Sequence, residues 1–154
     1  MKKLGLLILF LSIISCATRY NLKIFQISPE NQEEEDYLKE VWSTPLDFTV
    51  ANKDSEIVWG KIQAFIAKYS SVKIQVATDY VVQTYNTEYG QFGYYVSRNP
   101  DVDETTFSIR CITEPEPEDP WDGGFDYSKQ AELNAHILAY YALTNEIMTK
   151  FIKQ

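Results

Sequence analysis

The chain has 154 residues, with 22 acidic and 14 basic side chains, one histidine and two cysteines, for a formal charge of −8. Such an acidic surface, with no basic run, repels polyanions and argues against a nucleic-acid partner. One histidine and two cysteines are too few for a Cys/His zinc cluster, and no basis for an internal disulfide remains if Cys16 is modified.

The chain opens Met1-Lys2-Lys3 and then runs apolar from Leu4 to Ile14, 11 residues against the roughly 20 that a membrane-crossing helix needs. A short basic start followed by a short apolar stretch is the layout of a secretory signal peptide. Its end, Ile13-Ile14-Ser15-Cys16, resembles the lipobox of bacterial lipoproteins. That resemblance implies cleavage after Ser15 and a covalent lipid on Cys16, with residues 1–15 as the discarded signal. It also implies a location in the cell envelope, with Ala17 after the cysteine resembling the outer-membrane sorting pattern, facing the periplasm or the cell surface. Acyl chains contribute ~0.8 kcal/mol per buried CH₂, so two or three of them anchor a protein durably. Removing 15 of the 154 residues leaves 139, with 12 basic residues against 22 acidic ones. That is enough for one domain.

Residues 16–45 read as the lipidated cysteine followed by an acidic tether with local structure at most, a short strand in NLKIFQI and a short helix in ENQEEEDYLKE. Residues 46–154 read as a single domain. Leu46, Phe48 and Val50 alternate as a brief strand entry. Val58, Ile62, Phe65 and Tyr69 then recur at helical spacing, with Asp54 or Ser55 as the cap; Gly60 inside that helix suggests close approach to a sheet. The period changes to two in VKIQVATDYVVQTY, which places Ile74, Val76, Tyr80 and Val82 on one face of one strand. QFGYYVSR and TTFSIRCI follow as further strands, the latter with Phe107, Ile109 and Cys111 on its apolar face. EPEPEDPWDGGFD is an exposed acidic loop, and a long helix runs from about Ser128 with Leu133, Ile137, Tyr140, Tyr141, Thr144, Ile147 and Phe151 along one stripe.

The order α-β-β-β-α predicts an α+β two-layer sandwich, an antiparallel three-stranded meander with both helices on its apolar face. A long carboxy-terminal helix gripped by such a sheet resembles helix-grip folds. With the lipobox, residues 46–152 resemble the modules of BamC-type lipoproteins, which accompany the outer-membrane barrel-assembly machine.

Candidate sites are few. The acidic loop offers Asp119, Asp122 and Asp126 to calcium, beside Gly123-Gly124, but proline spacing also suits a solvated, self-repelling loop. Trp121 is either a partner anchor or a lid on the core. Among the aromatics crowded between Tyr80 and Tyr95, Tyr85 and Tyr95 fall on the wet face and are the better binding candidates, while cross-strand packing explains the others. Cys111 reads as a small core residue and His136 has no nucleophile signature around it. No catalytic constellation and no cofactor motif is recognised. The expected function is therefore non-catalytic: a lipid-anchored envelope protein, an accessory or assembly component, held to the membrane by Cys16 and acting on an envelope protein partner. The alternative is a module that binds a lipid, glycan or peptide in a sheet–helix cleft lined by Tyr94, Phe107 and Tyr141.

Overall fold

The computed structural model describes residues 28–114 and 126–154. They form an α+β sandwich, an antiparallel sheet with helices packed on one face. In chain order the elements are α1 (Gln32–Ser43), β1 (Asp47–Ala51), α2 (Asn52–Tyr69), β2 (Ile74–Ala77), β3 (Val81–Thr84), β4 (Gly93–Pro100), β5 (Glu104–Ile112), α3 (Tyr127–Thr144) and a 3₁₀ turn (Thr149–Phe151). The sheet has five strands in the order β1-β5-β4-β3-β2, every neighbouring pair antiparallel.

Two strands beyond the expected meander come from two places. The entry strand β1 joins the far edge, pairing Phe48 with Phe107 and Val50 with Thr105. The stretch 72–85, read as one strand, folds into the β2–β3 hairpin. Its turn carries neither glycine nor proline; the Thr78 hydroxyl accepts the N–H groups of Tyr80 (3.2 Å) and Val81 (3.0 Å) and so does their work. The reversal moves Tyr80 out of the core to 58% exposure.

Strand alternation builds the core face: Phe48, Val82, Tyr94, Val96, Phe107 and Ile109 are all buried there. Val58, Trp59, Ile62, Phe65 and Ile66 of α2 and Leu133, Ile137 and Leu138 of α3 cover it. Each fully buried side chain of this size contributes roughly 1.5–3 kcal/mol. Phe65 lies between Tyr94 (centroids 5.9 Å) and Tyr141 (5.8 Å), and Trp59 lies 6.2 Å from Phe107. The space expected for a ligand between Tyr94, Phe107 and Tyr141 is thus taken by the protein's own rings.

Helix α1 lies in the stretch expected to be tether. Asn31 caps it by accepting the Glu34 N–H at 3.0 Å, and Glu33, Glu34 and Glu35 suit the positive end of its dipole. Its apolar stripe, Tyr37, Leu38 and Val41, is buried against α3 and the carboxy-terminal segment, so the packed unit begins before residue 46. Helix α2 starts without a side-chain cap from Asp54 or Ser55. Instead Asn52 donates to the carbonyls of Asp101 (2.9 Å) and Val102 (3.0 Å), tying the helix start to the β4–β5 turn. Gly60 faces outward with nothing near the position of a Cβ, so it does not mediate close approach to the sheet.

Helix α3 stops earlier than its apolar stripe suggests. Asn145 adopts the left-handed conformation (φ 69°) and ends it. The chain then folds back, and Phe151 stacks on Tyr37 with centroids 5.9 Å apart. Two buried amides hold the returning segment: Gln130 donates to the Phe151 carbonyl and Asn134 to that of Lys153, both at 3.0 Å. Among the described residues no helix is long and apolar enough to cross a membrane.

Candidate functional site

With the helices on one side, no described residue outside the sheet covers its other face. Register places Val76, Gln83, Tyr95 and Arg110 in one row across four strands. Beside it run Val81, Ser97, Ser108 and Asp47. These alternate with the buried set, as a half-covered antiparallel sheet requires.

At the β3 end of this face the ladder is interrupted. The Thr84 hydroxyl, rather than a backbone carbonyl, accepts the Tyr94 N–H. The chain leaves the sheet there, and Tyr85 stands 54% exposed. On the other side of the side-chain-free Gly93 lies Ile112, its register partner, 44% exposed. Tyr85 and Ile112 border a shallow hollow of about 300 Å³ that Gln83, Asn86, Thr87 and Glu114 complete. Val76, on the edge strand β2 that pairs with β3, adds a third exposed apolar side chain.

Of the residues singled out from the sequence, Tyr85 and Tyr95 share this open face. Ile112 was not singled out, although it is the large apolar residue of TTFSIRCI whose alternation puts it with Arg110 and Ser108 on the wet side. Alternation alone puts Val76 on the apolar face; the irregular register between Ile74 and Val76 places it opposite Gln83 instead. Cys16, Trp121, Asp119 and Asp122 lie outside the described residues. Asp126 caps α3, accepting the Lys129 N–H at 2.9 Å. Among the described residues no group of three or more His, Cys, Asp or Glu side chains is placed to hold a metal ion.

Cys111 and His136 are both tied into the packing. Burial pushes the Cys111 thiol up to about 12. It is protonated at neutral pH and a poor nucleophile. His136 Nδ1 lies 2.8 Å from the Thr44 carbonyl, which can only accept, so Nδ1 carries the proton and joins α3 to the end of α1. Trp42 packs against the same imidazole, with centroids 5.0 Å apart.

Compared with protein-family models, with curated proteins and with solved structures, the chain matches none.

Proposed function

We propose that this is a lipid-anchored protein of the cell envelope that works non-catalytically, docking a protein partner on the open face of its sheet. The carrying observation is the exposure of Tyr85 and Ile112 together on the face that none of the described helices covers. Apolar side chains grouped on an otherwise polar face mark interaction sites, and aromatic residues are enriched at the centres of interfaces. The lipobox-like ending at Cys16 supports the membrane attachment, with the outer membrane as its expected site. The acidic surface suits an accessory or assembly component that does not engage nucleic acid.

The test is photo-crosslinking in membranes, with a crosslinking amino acid placed at Tyr85, Tyr95 or, as a control on the helical side, Ala64. The expected result is a discrete protein adduct from the first two positions and none from the third. Monomer alone at all three positions overturns the docking surface. Radiolabelled fatty acid should incorporate into the parent and not into Cys16→Ala; parent without label overturns the anchor while leaving the docking surface standing.

A further inference from the structure

A second feature, on the opposite side of the fold from the sheet's open face, concerns charge. Glu33, Asp36, Tyr37 and Glu40 recur at three- and four-residue spacing along α1 and so share a stripe. With Tyr140, Glu146 and Met148 they line a groove of about 480 Å³. At its floor the Tyr140 hydroxyl lies 2.7 Å from Glu40 Oε2 and 3.0 Å from Glu146 Oε2. A hydroxyl has one proton to donate. It satisfies one carboxylate at a time, and the other oxygen faces it lone pair to lone pair. Burial, and then these two carboxylates, hold the Tyr140 hydroxyl well above the ordinary tyrosine range, so the proton stays on it.

The helices make the charge worse. Glu40 sits in the last turn of α1 and Glu146 directly follows the left-handed residue that ends α3, and neither last turn holds a basic residue. Carboxylates at the negative ends of two helix dipoles are in the arrangement opposite to the stabilising one. Among the described residues the ion pairs found involve none of Glu33, Asp36, Glu40 and Glu146. Lys39 lies beside Asp36 and Glu40 on α1 without pairing to either.

An independent observation points to an occupant. Tyr37 lines the same groove and is only 7% exposed, yet its hydroxyl, beside the Met148 backbone, completes no hydrogen bond. Buried hydroxyls without partners are uncommon, because desolvation goes uncompensated. The rings of Tyr37 and Tyr140 meet edge to face at 5.5 Å, supplying aromatic surface next to the carboxylates.

We propose that this groove binds an organic cation, an alkylammonium or alkylguanidinium group. Such a group carries several N–H donors and takes carboxylate oxygens one by one, so it tolerates spread acids. Its alkyl stem packs on Met148 and the two rings, and its charge is attracted to their faces. A metal ion needs a tighter set of acids than the described residues bring together. A lysine or arginine side chain of a polypeptide and a free polyamine share this chemistry. The groove does not depend on the lipid anchor or on the sheet's docking surface.

The experiment is calorimetric titration of the full chain at low salt with spermidine, with a Gly-Lys repeat peptide and with calcium chloride. Spermidine, the peptide or both should bind, and whichever binds more tightly identifies the source of the cation. Glu40→Gln combined with Glu146→Gln should weaken binding at least about tenfold, since one or both charge-assisted contacts are lost. Asp36→Asn, an exposed position, should weaken it several-fold and carries the test if circular dichroism shows the double variant unfolded. Glu104→Gln, a remote acid on β5, should leave it unchanged. Absence of binding by both organic cations overturns the proposal. So does equal weakening by Glu104→Gln, binding indifferent to Asp36→Asn, or calcium binding with the same dependence on these variants.

Discussion

The hydroxyl of Thr84 accepts the backbone N–H of Tyr94 at 2.9 Å, filling a place in the sheet that a carbonyl would otherwise take. This contact is possible because residue 93 has no side chain: a Cβ there would stand 2.5 Å from Thr84 Oγ1 and 2.9 Å from Thr87 Cγ2. Both neighbours are short and branched, so neither can swing aside. Gly93→Ala should therefore destabilise the fold by about 1–3 kcal/mol, the range for overpacking. Thr84→Val should cost a similar amount by orphaning the Tyr94 N–H. Urea denaturation of both, and of the double variant, checks this; the two losses should fall short of adding, since they share one contact.

Phe151 is 2% exposed and stacks on Tyr37, and the turn that places it is held by Gln130 and Asn134. Phe151→Ala should cost about 3–5 kcal/mol. Hydrogen exchange should show α1 losing protection with the carboxy-terminal segment, because Tyr37 loses its stacking partner. Destabilisation confined to residues after Asn145 would refute that coupling.

These two cases show where sequence reasoning stops. The helix and strand periods that placed Val58, Ile62, Phe65, Tyr94 and Phe107 in the core depend only on the residues themselves, and all five are buried. The errors arise where a polar side chain ends an element. Thr78 turns β2 into β3 without glycine or proline, and Asn145 ends α3 in the middle of an apolar stripe. Side chains of this kind are ordinary within elements too, so only tertiary contact reveals their role. The open-face site was half legible. Tyr85 and Tyr95 follow from alternation, but Val76 depends on a register irregularity that no local pattern signals.

Glu34 offers a pH test. Its carboxylate is held below the ordinary range, first by the Glu30 N–H at 2.7 Å and then by Lys150 at 2.6 Å. A depressed carboxylate stabilises the fold above its unfolded value, near 4.5, and that contribution is lost as pH falls through the lower folded value. Lys150, raised chiefly by the same contact, stays charged throughout. Glu34→Gln should thus lower the Tm at pH 7, and the difference from the parent should shrink as pH falls below the unfolded value. A difference independent of pH, followed by calorimetry, would show that the carboxylate's charge is not the stabilising element.

Cys111 gives the alkaline counterpart. An unfolded thiol ionises near 9 whereas the folded one is pushed up to about 12 by burial. Between those values the unfolded chain has lost a proton that the folded chain keeps, so stability falls as pH rises. In a Cys16→Ala background, Ellman's reagent at pH 8 should react slowly with the native chain and rapidly in guanidinium. Fast reaction of the native chain would mean that the thiol is not buried as described.

Gly60 supplies the opposite expectation to Gly93. It lies inside α2, faces solvent, and has no atom within 4 Å of where a Cβ would project. Nothing in its surroundings requires a glycine, and glycine in a helix interior costs roughly 0.5–1 kcal/mol relative to alanine through the freedom it retains when unfolded. Gly60→Ala should therefore stabilise the fold by about that amount, partly through the unfolded chain. Thermal denaturation of Gly60→Ala and Gly93→Ala side by side separates backbone entropy from steric demand: the same substitution should raise the Tm at one position and lower it at the other. If Gly60→Ala instead lowers it, a close approach at α2 has been missed, and a partner seated on that helix becomes the first thing to look for.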